Sequence, residues 1–221
     1  MPANLMSTIV EVGGVPLAAD IALPEAANGL VLFAHGSGSS RLSPRNRFVA
    51  QVLQSHGLAT VLMDLLAPDE EERDRLTGSL RFDIGLLARR VQGVLDWVAG
   101  QEGLSHLNLG LFGASTGAAA ALVAAADRPG VVRAVVSRGG RPDLAAQALP
   151  RVLAPTLLIV GSADPIVAGL NRQALGLLTA LPRESKQLLV IPGASHLFEE
   201  PGALEQVASY ACDWFQKYLV G

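Results

Sequence analysis

Short apolar runs alternate with longer segments of helical periodicity along most of the chain. "GLVLFAHG", "LATVLMD", "HLNLGLFG", "VVRAVVSRGG", "APTLLIVGSADP" and "KQLLVIPGASH" are such runs. They are rich in Val, Ile and Leu and lack a strict polar alternation, which marks strands covered on both faces. Helical segments between them supply the crossovers that parallel neighbours need. The expected fold class is therefore α/β, with a mainly parallel sheet flanked by helices. The N-terminus reads differently. "TIVEV" and "VPLAADIAL" flank Gly13-Gly14, a pair that permits positive φ, and this predicts an antiparallel hairpin.

Helix signals fall where this scheme needs them. Ser43-Pro44 caps a helix that ends near His56, before Gly57. "LRFDIGLLARRVQGVLDWVAG" has apolar residues at helical spacing and stops at Gly100. Further helices are expected over Thr116–Asp127, near Leu170–Ala180 and from about Gly202 to Leu219. The charge run from Asp69 to Arg75 reads as a solvated loop or helix start.

A length of 221 residues suits one domain spanning 1–221, and 50% hydrophobic content supplies its core. A net charge of −3 without a basic stripe argues against nucleic acid as a partner. No apolar run is long enough for a membrane span and no leader pattern opens the chain, so a cytoplasmic protein is expected. The single cysteine, Cys212, excludes an internal disulfide and reads as a small core residue. A monomer or homodimer is expected.

Each apolar run ends in polar or glycine-rich sequence: "HGSGSS", "GAST", "SRGG", "GSADP", "GASH". In a parallel sheet these ends share one edge, where open α/β folds bind ligands. On that edge Gly113-Ala114-Ser115-Thr116-Gly117 matches G-x-S-x-G between a strand and a helix. Such a turn strains its central residue and lifts the hydroxyl clear of the backbone. Flanking glycines leave room for it. Ser115 is the expected nucleophile.

A serine hydroxyl needs a base. Of His35, His56, His106 and His196, only His35 and His196 stand on the reactive edge, and His196 follows a late strand. His196 is the expected base, whereas the His35 ring is expected to hold loop backbone. Asp164, at the exit of the preceding strand, is the expected carboxylate, against the plainer role of starting a turn or capping a helix. The order Ser115, Asp164, His196 is that of α/β-hydrolases. Backbone N–H groups of Ser37 and Thr116 are the expected oxyanion donors, with Gly36 and Gly38 letting the loop approach the substrate. "HGSGSSR" lacks the Lys-Ser/Thr of a phosphate-binding P-loop. Metal-ligand spacing is absent as well, so neither metal nor cofactor is expected.

On "FAHGSGSS", "GLFGASTGAAAA", "AVVSRGG", "APTLLIVGSADPIV" and "IPGASHLFEEPGALE", the chain resembles the α/β-hydrolase superfamily, and within it the short, capless, dienelactone hydrolase-like group. The resemblance implies an eight-stranded, mostly parallel sheet without a cap domain, and esterase-like acyl transfer. Dienelactone hydrolases proper use a cysteine nucleophile. Ser115 at that position favours a general serine carboxylesterase acting on small esters. Similar domains occur fused to phosphoribosyltransferases, and no such partner domain is read in these residues.

Arg138 and Arg141 follow a strand on the reactive edge and are possible anchors for a substrate carboxylate. The plainer alternative is an ion pair with Glu199 or Glu200. Arg41 and Arg45 are weaker candidates. No long insertion is available for a lid, so a shallow, open pocket is expected. A non-catalytic ligand-binding protein and an acyltransferase or perhydrolase with the same triad are the competing functions.

Overall fold

The computed structural model describes residues 4–220. Its strands are β1 (Asn4–Val12), β2 (Val15–Leu23), β3 (Gly29–Ala34), β4 (Leu58–Met63), β5 (Leu109–Ala114), β6 (Val132–Arg138), β7 (Thr156–Gly161) and β8 (Lys186–Ile191). Its helices are α1 (Pro44–Ser55), α2 (Pro68–Thr77), α3 (Ile84–Ala99), α4 (Thr116–Asp127), α5 (Pro165–Leu177) and α6 (Ala203–Leu219). All eight strands join one sheet in the order β1-β2-β4-β3-β5-β6-β7-β8. β1 and β2 pair antiparallel about Gly13 and Gly14, both at positive φ, and β2 pairs antiparallel with β4. Every later neighbour is parallel.

The apolar runs are buried for the reason their composition implies. β3, β4, β5 and β7 have no exposed residue. On one face α3, α4 and the end of α5 cover them through residues such as Val91, Val94, Ala120 and Ala174. On the other, α1 and α6 do so through Val49, Leu53, Val207 and Phe215. A Cβ on Gly110 would lie 2.6 Å from the Phe215 ring, so this strand glycine admits the α6 aromatic. Cys212 is buried in the same layer. Among the described residues, no helix is long and apolar enough to cross a membrane.

Two helices differ from expectation. Asp69–Arg75 lies inside the full helix α2, where Pro68 takes the first position, the Glu70 carboxylate accepts the Ala67 N–H at 2.9 Å and Gly78 ends the helix at φ 67°. These end signals suffice because α2 lies on the rim and needs no apolar stripe. α5 starts at Pro165 rather than near Leu170, because Asp164 is its cap, with Oδ1 accepting the Val167 N–H at 3.3 Å.

The direction in which successive strands are added across the sheet reverses between β3 and β5. From β3 the chain steps outward to β4, then returns past β3 to β5. The loops leaving β3 and β5 thus diverge and open a crevice at the strand ends.

Candidate active site

Ser115 sits at the end of β5 with φ 50° and ψ −120°, between strand and helix. A side chain at positive φ costs energy that surrounding contacts must hold. The neighbours supply them: the Ser115 N–H donates to the Arg138 carbonyl at 3.2 Å, and the Arg141 N–H donates to the Ser115 carbonyl at 3.1 Å. The two flanking glycines are demanded by contact. A Cβ on Gly113 would lie 2.4 Å from Ala118 Cα, and one on Gly117 would lie 2.3 Å from the Ala34 and His35 carbonyl oxygens.

His196 Nδ1 donates to Asp164 Oδ2 at 2.8 Å, the tautomer being the one this contact requires. Asp164 therefore does both things the sequence offered: Oδ1 caps α5 and Oδ2 holds the imidazole. The loops carrying them are tied together. The Ala163 N–H donates to the Ala194 carbonyl at 3.0 Å, and the Gly193 N–H to Ser162 Oγ at 2.7 Å. The half-buried Glu200 carboxylate accepts the Ser195 N–H at 3.0 Å, and the Ser195 hydroxyl together with that N–H holds its pKa below the ordinary value. Ser115 and His196 line one cavity of about 250 Å³ with Ser37, Arg45, Asn46 and Arg138. No hydrogen bond joins Ser115 to His196 among the described residues, an arrangement common where such contacts tighten around substrate.

The loop after β3 passes directly over the serine. A Cβ on Gly36 would lie 3.0 Å from Ser115 Cβ, so any larger residue would press on the serine. His35 fixes the loop: Nδ1 donates to the Gly36 carbonyl at 2.9 Å and Nε2 accepts the Leu65 N–H at 3.0 Å. Burial pushes its pKa down, against the Gly36 carbonyl and the carboxylates of Asp64 and Glu71, and the ring stays neutral. Ser37 and Thr116 stand on the two sides of this approach, and neither N–H donates to a protein acceptor among the described residues. A second cavity of about 270 Å³ lies beyond the loop, lined by Ser37, Thr116, Leu65, Leu87 and the α2 residues Glu71 and Asp74. α2 thus walls the region that the sequence left open.

The arginines separate clearly. Arg41 is bound to Asp64 through its N–H at 2.7 Å and Nη1 at 2.6 Å. Arg141 forms a two-point pair with Asp143 at 2.9 and 2.8 Å and lies outside the Ser115 cavity. Arg45 meets Glu199 at 3.2 Å on the rim. Arg138 has neither of the glutamates as partner. It is 8% exposed, and its Nε and Nη1 have no hydrogen-bond partner among the described residues. Its Nη2 reaches Asn46 Oδ1 at 3.4 Å, and its guanidinium lies 6.0 Å from the Phe198 ring centre. Phe198, at φ 58°, and Asn46 gave no functional signal in the sequence, because both act only through tertiary contact. His56 and His106 lie before β4 and β5, on the opposite edge.

The sequence matches the family described as PET hydrolase-like over residues 48–221. It is 58% identical to a dienelactone hydrolase from Anabaena variabilis, with a TM-score of 0.95, covering 99% of this chain and 100% of that one. Est1E from Butyrivibrio proteoclasticus shares the fold at a TM-score of 0.79 and 14% identity, over 96% and 98% of the two chains. A Mycobacterium tuberculosis H37Rv protein that carries a phosphoribosyl transferase name is 57% identical over 212 residues, which is 96% of this chain and 46% of that protein. The chain thus spans about half the length of the curated relatives it matches. With its eight-stranded sheet, the family match over residues 48–221 and the 58% identity, this chain belongs to the dienelactone hydrolase-like family of the α/β-hydrolases, a family of hydrolases.

Proposed function

We propose that this protein is a serine esterase that cleaves small carboxylic esters through an acyl-enzyme. The observation that carries the reading is the shared cavity: a serine hydroxyl on a strained elbow and an imidazole held by Asp164 at 2.8 Å line the same space. His196 Nε2 takes the Ser115 proton as Oγ attacks the ester carbonyl. Asp164 holds the imidazole in the required tautomer and stabilises its charged form. The Ser37 and Thr116 N–H groups receive the oxyanion, aided by the positive end of α4. His196 then returns the proton to the leaving alcohol. Water, deprotonated by the same imidazole, attacks the acyl-enzyme, releases the acid and restores Ser115.

No step calls for a cofactor. The two cavities on either side of the Ser37 loop, about 250 and 270 Å³, suit short acyl and alcohol portions better than long chains. The phosphoribosyl transferase name belongs to relatives about twice as long. The acyl-transfer reading rests on the part that this chain matches.

The test is hydrolysis of p-nitrophenyl acetate and butyrate. Ser115→Ala is expected to lower turnover at least about 10³-fold without unfolding the protein. A fluorophosphonate is expected to label wild type at Ser115. Undiminished turnover by Ser115→Ala refutes the mechanism, and absence of both turnover and labelling in wild type points to a binding protein. Product analysis in the presence of alcohols or peroxide separates hydrolysis from acyl transfer or perhydrolysis.

A further inference from the structure

The Ser115 cavity carries more positive charge than ester cleavage uses. Among the described residues none that lines it is acidic, while Arg45 and Arg138 both line it. Arg138 is the unusual one. A buried guanidinium ordinarily meets a carboxylate, yet here two of its three nitrogens have no partner and its third has only the long contact to Asn46. The side chain is nevertheless held in place. Phe198 packs beside its guanidinium, and the adjacent Gly139 presses on the histidine loop, where a Cβ would lie 3.1 Å from the His196 carbonyl. Such a group is organised for an anion that comes from outside the protein. Arg138 is also next to the chemistry, since its own carbonyl holds the Ser115 N–H.

Other features add to the same potential. α1 begins at the cavity, with Ser43, Arg45 and Asn46 among the lining residues; Pro44 has no N–H and the Asn46 N–H donates to Ser43 Oγ at 3.3 Å, so this end offers the Arg45 N–H and the positive pole of a 12-residue helix. The carboxylates near it are engaged elsewhere among the described residues: Asp164 holds His196, Glu200 accepts the Ser195 N–H, and Glu199, exposed on the rim, meets Arg45. Arg45 and Arg138 repel one another, which a bound dianion would relieve. The Arg45–Glu199 pair is exposed and screened by water, so much of the Arg45 charge is left uncompensated. A carboxylate would offset one of the two guanidinium charges, whereas a phosphate monoester brings about −1.5 to −2 and three acceptor oxygens.

We propose that this cavity binds a phosphate monoester carried by the substrate, held by Arg138 with Arg45 and the first turn of α1, beside Ser115. The reading rests on the esterase assignment in that the phosphate and the scissile ester share one cavity. The substrate class is then a small carboxylic ester bearing a phosphate on its acyl or alcohol portion.

The test uses inorganic phosphate and methyl phosphate as probes, at low ionic strength and pH 7.5. Calorimetry is expected to show binding to wild type and to Ser115→Ala. Arg138→Met is expected to weaken it about tenfold or more, and Arg45→Gln about threefold or more. Methyl phosphate is expected to compete with p-nitrophenyl acetate. Equal phosphate binding by wild type and folded Arg138→Met overturns the proposal. Tighter binding of monomethyl succinate than of methyl phosphate overturns the phosphate assignment in favour of a carboxylate. If Arg138→Met does not fold, Arg45→Gln carries the test, and unchanged phosphate affinity in that variant overturns the site. Phosphate binding without ester turnover would sink the esterase reading alone, and turnover without phosphate binding would sink this one alone.

Discussion

Replacing Arg138 by methionine should make the ligand-free protein more stable, although it removes a side chain from the interior. Arg138 is 8% exposed, and burial, with Arg45 nearby, lowers its pKa from the ordinary arginine value to about 10. At about 1.4 kcal/mol per pH unit, keeping it charged costs about 3 kcal/mol relative to water. Methionine fills similar length without charge. Against this, the substitution forfeits the contact with Phe198 and the 3.4 Å bond to Asn46, together worth about 1–2 kcal/mol. The net expectation is a gain of about 1–2 kcal/mol, or roughly 2–8 °C in melting temperature for a chain of this size. The sign with pH follows from linkage. A base whose folded value lies below its unfolded value carries its cost at every pH below about 10 and sheds it as the pH rises from there toward the unfolded value. The advantage of the variant should therefore be full at pH 7 and shrink above pH 10. Urea and thermal unfolding in phosphate-free buffer measure it. A variant less stable than wild type at pH 7 would refute the claim that Arg138 is an uncompensated charge. Added phosphate should stabilise wild type and close the gap.

Gly113→Ala forces a Cβ to 2.4 Å from Ala118 Cα, a backbone atom that cannot turn aside, so loss of about 3 kcal/mol or more, or failure to fold, is expected on denaturation. Arg81→Ala strands the buried Asp74 carboxylate, which in wild type accepts from Arg81 and from the Leu80 N–H at 2.6 Å; a cost of about 3 kcal/mol is expected in urea. Burial pushes the Asp74 carboxyl up, but Arg81 and the backbone N–H groups of Leu80 and Arg81 outweigh it and hold it below 3.8, so its stabilisation is present above that value and lost as pH falls through the lowered one. Arg81→Ala should accordingly move acid unfolding, followed by circular dichroism, to higher pH. His35→Phe leaves the Leu65 N–H without its acceptor and frees the Gly36 carbonyl, so a loss of about 1–3 kcal/mol is expected, together with a lower kcat for p-nitrophenyl acetate at little changed KM. An unchanged kcat would show that the ring does not position the Ser37 loop.

The candidate nucleophile was legible because its constraint is written in small residues. Gly113 and Gly117 are required by atoms of Ala118, Ala34 and His35. Only the first contact is local, but both leave the same mark in the sequence. Strand ends were legible because burial on two faces forces apolar runs and the loops after them must be polar. α2 was only half legible: its Pro68 start and Gly78 stop stand in the sequence, yet it has no apolar stripe to set them off from a charged loop.

By itself, then, the sequence determined the alternation of buried strands and covering helices, and the places where backbone geometry demands glycine. These depend on solvent exclusion and sterics, which act residue by residue. The pairing of charges was decided only by the tertiary structure. Glu199 goes to Arg45, Glu200 to the Ser195 N–H and Asp143 to Arg141, which leaves Arg138 buried without a carboxylate. Electrostatic partnership depends on distances of a few ångströms between β6, α1 and the histidine loop, and no spacing along the chain encodes those distances.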